Sequence, residues 1–425
     1  MPPPPSLPDQ YRAVRAFSEK ICEPLVPEDY VVQSMPDVSP AKWHLAHTSW
    51  FFETFLLKPH LSNYQPLHPQ YDFLFNSYYN AIGERHCRVR RGVLSRPTVD
   101  ETYAYRAYVD EHMARLLGEA DAEKMAALEP LVTLGLHHEQ QHQELMVTDI
   151  KHVFFENPLC PIYRPRRDPP ATSVPAQEWI EFAEGVREIG WGEAGFAFDN
   201  EMPRHKEYVP AFALGSRLVT NGEYLEFIGD GGYDKPEFWL SEGWSVVGKQ
   251  GWRSPLCWWD RKGPKFDLGW QEFTLAGMAA LNPNAPVCHV SLFEADAYAR
   301  WAGARLATEA EWEVASESVA LCGSFANSGR FHPVPLDATD AEPGVLQQMF
   351  GEVWQWTRSQ YTPYPGYAPP PGALGEYNGK FMCNQFVLRG GSCATSHSHM
   401  RPTYRNFFPP EARWQFTGIR LAKDL

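Results

Sequence analysis

His137-His138-Glu139-Gln140-Gln141-His142-Gln143-Glu144 carries two histidines, His138 and His142, four residues apart. On an α-helix, positions i and i+4 lie on one face about one turn apart, so both imidazoles can be directed at a single metal ion. The octet sits inside a helical pattern from about Ala122 to Phe155. Only Pro130 interrupts that pattern, and it is expected to kink or split the helix because it removes a backbone donor. Neutral imidazole suits iron, zinc, copper or nickel. One helix supplies two ligands, so a third must come from elsewhere, and Trp43-His44-Leu45-Ala46-His47 is the best source. Spacing does not choose between His44 and His47. His137 competes with His138 but pairs with Gln141 at i+4, and it points about 100° away from His138.

Working outward, three more helices are legible. Ser39-Pro40 reads as a capping residue followed by proline at the first helical position, opening a strongly apolar run from Ala41 to Leu57. Thr98 with Glu101 makes a capping box for a helix through about Leu117, and an earlier helix is expected near Gln10 to Ile21. Together these predict a four-helix bundle over residues 1–157, the kind of fold that builds metal sites between facing helices. Residues 158–176 are proline-rich, contain Arg164, Arg166 and Arg167, and read as a linker. From 177 to 425, glycine, tryptophan and turn signals dominate. Short strands are expected at Glu207-Tyr208-Val209 and Phe386-Val387-Leu388, with helices at Ser291–Ala302 and after the box Thr308…Glu311. The second half is therefore expected to be α+β, with a proline-rich loop at Pro363–Pro371.

Composition narrows the function classes. Lys and Arg number 38 against 52 Asp and Glu, a net charge of −14, which argues against a nucleic-acid partner because a phosphate backbone needs a basic face. Hydrophobic residues at 44% and aromatics at 14% are globular and rich enough to line pockets. No apolar run is long enough for a membrane span, and no secretory signal is visible. The scattered cysteines form no C-x-x-C pair, so reduced thiols in a cytoplasmic protein are expected.

Three clusters carry the chemistry. His138-Glu139-Gln140-Gln141-His142 also satisfies the zinc-protease pattern, with Glu139 as its general base, but Gln143-Glu144-Leu145-Met146 follows instead of the histidine-containing extension. Asn76-Ser77-Tyr78-Tyr79-Asn80, followed by Gly83-Glu84-Arg85-His86-Cys87-Arg88-Val89-Arg90-Arg91-Gly92, packs tyrosines and arginines between two helices. Tyrosines there can donate protons to reduced oxygen, and arginines can clamp a carboxylate; a solvated basic loop is the plain alternative. The third cluster is Arg401-Pro402-Thr403-Tyr404-Arg405-Asn406-Phe407-Phe408, followed by Arg413-Trp414. Its aromatics suit a quaternary ammonium through cation–π contact, or simply the core of a tryptophan-rich domain.

At this point the residues resemble known families. Pro286-Val287-Cys288-His289-Val290-Ser291, Ala297 through Glu313, Gly351-Glu352-Val353-Trp354-Gln355-Trp356-Thr357, Leu388-Arg389-Gly390-Gly391-Ser392 and Gly418-Ile419-Arg420-Leu421-Ala422 look, in that order, like the formylglycine-generating (sulfatase-modifying) domain. That domain is a C-type-lectin-related α+β fold. The two copper-binding cysteines of formylglycine generators fall at Thr395 and Met400, so the fold is expected to serve another task. The first half resembles the DinB-like bundle with three metal-binding histidines. The combination is similar to the ergothioneine-pathway sulfoxide synthases, non-haem iron enzymes. That resemblance implies His47, His138 and His142 as Fe(II) ligands, and Gln141, Asn406 and Phe407 as contacts for hercynine (N-trimethylhistidine). It implies that Tyr78 and Tyr79 act near the oxygen site, as in the cysteine-using branch, with Arg88 and Arg91 for the cysteine carboxylate. Phe408 stands where the γ-glutamylcysteine-using branch has an aspartate, which favours free cysteine. The expected product is hercynylcysteine sulfoxide, made with O2. Relatives using γ-glutamylcysteine, histidine or a selenium donor are the alternatives.

Overall fold

A computed structural model describes residues 5–165, 173–263, 266–339 and 342–425. Arg166 and Arg167 of the expected linker lie outside the described residues. The chain divides into two compact units, one of residues 1–157 with 370–377, the other of 158–369 with 378–425. The stretch 370–377, which the sequence pattern groups with the second half, thus clusters with the first.

The first unit is a helical bundle of α1 (Leu7–Cys22), α2 (Ala41–Phe52), α3 (Val99–Glu119) and α4 (Ala122–Glu156). Ser6 caps α1 by accepting from the Asp9 backbone N–H, and Thr98 with Glu101 closes the capping box of α3. Every residue of α2 is buried, including the polar Lys42, His44, His47, Thr48 and Ser49, as expected of a helix enclosed on all sides. It runs on through a π-helical turn, Glu53–Leu57. The expected Ser39 cap is corrected: Pro40 holds the cap position and no side chain caps the helix. Ser39 instead gives its backbone N–H to Asp149 Oδ2 at 2.8 Å, and its hydroxyl accepts from Arg91 Nη1. Of the kink or split expected at Pro130, the split is corrected, since α4 runs unbroken for 35 residues. Its opening turns are largely exposed, Ala126 included, so the carbonyl that Pro130 leaves without a donor can be hydrated.

The second unit is α+β. One sheet has the order β1 (Trp179–Phe182), β2 (Phe212–Gly215), β8 (Leu421–Asp424), β3 (Arg305–Leu306). A second sheet has the order β6 (Asn406–Phe408), β5 (Phe386–Arg389), β4 (Trp354–Gln360), β7 (Thr417–Gly418). Helices Leu292–Trp301 and Glu309–Ser316 each open with a full capping box, from Ser291 with Glu294 and from Thr308 with Glu311. Inside this unit, buried arginines are matched by buried glutamates. Arg389 pairs with Glu313 at 2.6 Å, and Arg405 reaches Glu309 through two bonds of 2.9 Å. No disulfide joins the eight cysteines, and no helix among the described residues is long and apolar enough to cross a membrane.

Candidate metal centre

Helices α2 and α4 bring His47, His138 and His142 together, all buried, with one nitrogen of each within 4.8 Å of the others. The approach depends on a missing side chain. Gly135 lies about one turn before His138, and a Cβ there would fall 2.6 Å from the Phe52 ring and 3.1 Å from Phe51. The ring of His47 stacks on Trp43 (4.6 Å between centroids, 12° between planes) and on Trp50 (5.5 Å, 17°). Phe51 covers His138 at 4.6 Å. Aromatic walls of this kind leave the imidazoles little freedom to rotate.

The hydrogen bonds define which nitrogens face one another. His47 Nδ1 lies 2.6 Å from the Phe75 carbonyl oxygen. A carbonyl only accepts, so Nδ1 carries the proton and Nε2 keeps its lone pair. That Nε2 lies 3.2 Å from His138 Nε2. His142 Nδ1 faces His44 Nδ1 at 2.8 Å, and His44 Nε2 faces Asp149 Oδ2 at 3.1 Å. His44, which spacing alone left in competition with His47, is thus outside the triad and against it. Burial pushes the titration of all three triad imidazoles down, that of His138 to about 3, so they are neutral near pH 7 and free to ligate.

Glu139 points elsewhere. It is buried, accepting from Ser18 Oγ at 2.6 Å, Arg106 Nη2 at 2.6 Å and Arg15 Nη1 at 2.9 Å. Burial alone would raise its titration, but Arg106 and Arg15 outweigh it and hold the carboxyl at about 2. A carboxylate locked between two guanidiniums is not available as the base that a zinc protease needs, so the metalloprotease reading falls.

Tyrosines gather beside His138. The Tyr78 and Tyr79 rings are 4.7 Å apart, and Tyr79 is wholly buried between Trp50 and Phe55. Tyr377, from the stretch 370–377, lies 6.1 Å from Tyr78 and 5.7 Å from His138, and its hydroxyl donates to Gln141 Oε1. Glu376 ties the same stretch to the tyrosine loop by accepting the backbone N–H groups of Asn80 and Ala81 at 3.0 and 2.9 Å. Sequence reasoning missed Tyr377 because no motif surrounds it; only the folded contact reveals it.

The two candidate arginines part company. Arg91 is buried, lies 3.3 Å over the Trp43 ring and bonds Ser39 Oγ, while its Nε is buried with no hydrogen-bond partner. Burial, with Arg88 adding repulsion, holds its titration well below the usual guanidinium range. Arg88 is exposed, and its Nη2 bonds the Asp37 carbonyl at 2.6 Å.

Asn406 and Phe407 lie on β6 in the second unit, half-buried. Phe407 stacks on Tyr361 at 4.0 Å and 9°. Thr395 and Met400, which the resemblance set against a pair of cysteines, are both buried, and Thr395 Oγ1 accepts the Ser392 N–H at 2.8 Å.

Known proteins match this arrangement along the chain. A hercynine oxygenase of Mycolicibacterium smegmatis is 32% identical over 92% of this chain and 93% of its own length. The chain belongs to the hercynine oxygenase family. A second hercynine oxygenase, from Mycobacterium tuberculosis, is 32% identical over 92% of each chain. Residues 10–146 match the DinB superfamily, and residues 166–425 match the sulfatase-modifying factor enzyme 1-like domain. The formylglycine-generating enzyme of Streptomyces coelicolor is 27% identical over 62% of this chain and 92% of its own. This chain thus combines a DinB-like bundle with a sulfatase-modifying-factor domain.

Proposed function

We propose that this protein is an iron(II)- and O2-dependent sulfoxide synthase that joins the sulfur of L-cysteine to the imidazole of hercynine. The observation that carries the reading is the buried triad His47, His138 and His142, with Tyr78, Tyr79 and Tyr377 on one side of it. Three neutral imidazoles leave a divalent ion its full charge and open positions, so Fe(II) held there would supply O2 activation and stabilise a thiolate.

The overall reaction balances. Hercynine, cysteine and O2 give the sulfoxide and one water. The imidazole C–H and the thiol S–H are lost, a C–S bond forms, and the sulfur gains one oxygen atom. O2 takes up four electrons, two from forming the C–S bond and two from oxidising sulfur.

The chain's own side chains divide the remaining work. Arg91, buried with a free Nε beside Trp43, is the better anchor for the cysteine carboxylate, and Arg88 is the weaker one. Gln141 offers an amide to hercynine, as the family resemblance implies, along with Asn406 and Phe407. Tyr78 and Tyr79 supply a proton to reduced oxygen, which favours C–S bond formation over simple oxidation of the thiol. Phe408, in place of an aspartate, supports cysteine over γ-glutamylcysteine.

Anaerobic reconstitution with Fe(II), then O2 with hercynine and either cysteine or γ-glutamylcysteine, tests this by mass spectrometry. Hercynylcysteine sulfoxide from free cysteine is the expected product. Turnover only with γ-glutamylcysteine would move the chain to the other branch. Cysteine sulfinate alone would overturn the coupling reaction.

A further inference from the structure

We propose that Asp149 and His44 form a hydrogen-bonded relay that sets the tautomer and orientation of His142, making His44 a positioning residue of the metal centre. The inference rests on the metal-centre reading above and goes beyond it in assigning a role to residues outside the triad.

The direction of the relay follows from donors and acceptors. His44 Nε2 is 3.1 Å from Asp149 Oδ2, an oxygen that already accepts the Ser39 backbone N–H, so in the relay Oδ2 accepts and His44 Nε2 carries the proton. A neutral imidazole has one N–H, which leaves His44 Nδ1 as an acceptor. In the relay, with His44 neutral, the atom it faces at 2.8 Å, His142 Nδ1, is the donor. His142 Nε2 is left with its lone pair, the state a ligand needs. The reverse polarity would put the proton on His142 Nε2 and abolish ligation.

Packing holds the relay in place. His44, His142 and Asp149 are all buried. His142 and Asp149 stand two turns apart on α4, and His44 reaches across from α2 to bridge them. Asp149 Oδ2 is itself held by the Ser39 backbone N–H. His47 has the same need met differently, by the Phe75 carbonyl, whereas His138 Nδ1 is buried with no hydrogen-bond partner. One ligand is thus oriented by backbone and one by a carboxylate–histidine chain. A partner of this kind also raises the basicity of the coordinating nitrogen, and losing it typically costs about 10–100-fold in metal affinity.

The test uses full-length apoprotein, with Fe(II) and Co(II) affinity measured anaerobically by competition with a chromophoric chelator and no substrate present. His44→Leu is expected to bind about 10–100-fold more weakly. His44→Gln keeps an amide N–H for Asp149 and an oxygen for His142, and is expected to recover most of the loss. Wild-type affinity in His44→Leu, or equal losses in both variants, overturns the relay. A second measurement needs no variant: long-range 1H–15N correlation on the Zn(II)-loaded wild-type protein. Protons at His44 Nε2 and His142 Nδ1 are expected, and the opposite tautomer at either residue overturns the proposal even if His44→Leu fails to fold. A wild-type protein that takes up no metal would instead sink the metal-centre reading itself.

Discussion

The two compact units bury a key carboxyl group in opposite ways. Glu139, in the bundle, is surrounded by Arg15, Arg106 and Ser18 and stays ionised down to about pH 2. Glu352, in the second unit, has no guanidinium bonded to it among the described residues. Burial pushes it up to about 8, against partial relief from the backbone N–H groups of Val334 and Ser324. The difference reflects what each unit must hold still. In the bundle, Glu139 is the neighbour of a triad histidine, and a charged clamp to α1 and α3 fixes the position of α4. In the second unit, a neutral acid serves as one more hydrogen-bonding group among loops.

The sharpest way to break the comparison is to remove each carboxylate. Glu139→Ala removes the carboxylate that two buried guanidiniums share, leaving Arg15 only Asp110 and Arg106 only Glu19 as acidic partners, and is expected to cost about 3 kcal/mol in urea unfolding. Replacing Arg15, Arg106 and Glu139 together with apolar residues of similar volume should cost far less. A small loss in Glu139→Ala would mean that the clamp is not what holds α4.

The next effect is a pH dependence of opposite sign. The folded Glu352 titrates near 8, above its ordinary value of 4.5, so its contribution is complete below about pH 4.5 and is lost as pH rises to about 8. Over that window the second unit should lose a few kcal/mol, and Glu352→Gln should flatten the curve. Glu139 titrates below 4.5, so its contribution is present above that value and lost as pH falls towards about 2. Unfolding midpoints of the wild-type and Glu352→Gln proteins across this range measure both limbs.

A smaller effect tests the close packing of α4 on α2. Gly→Ala inside a helix ordinarily stabilises by up to about 1 kcal/mol. At Gly135 the new Cβ would lie 2.6 Å from Phe52, so Gly135→Ala is expected to destabilise by about 1–3 kcal/mol and to weaken metal uptake. Thermal unfolding and metal content after dialysis read the two consequences separately. The smallest effect concerns Arg91. Arg91→Lys keeps the charge but loses the planar fork, and should raise the KM for cysteine about tenfold, equivalent to ~1.4 kcal/mol. Steady-state oxygen consumption at saturating hercynine measures it, and an unchanged KM would move the carboxylate anchor away from Arg91.

Much of this was legible in the chain itself. The His138/His142 spacing, the capping boxes at Thr98, Ser291 and Thr308 and the apolar run of α2 are local patterns, and local patterns survive folding. The motifs of the second half, read in order, pointed to its fold family. Pro130 and Ser39 misled because exposure of one helix end and a contact with Asp149 are not written in the residues around them.

What the sequence by itself determined was the pairing of His138 and His142 on one helix face and the four long helices of the bundle, set by periodicity and spacing, while its ordered motifs carried the family resemblance of each half. Spacing left His44 and His47 open, and the tertiary structure decided that His47, as the resemblance implied, joins His138 and His142; it alone decided where Glu139 points and that Tyr377 comes to lie beside His138. His44 and His47 are three residues apart on one helix, so helical geometry treats them nearly alike. Their roles separate only when α4 packs against α2, placing His138 beside one and Asp149 beside the other.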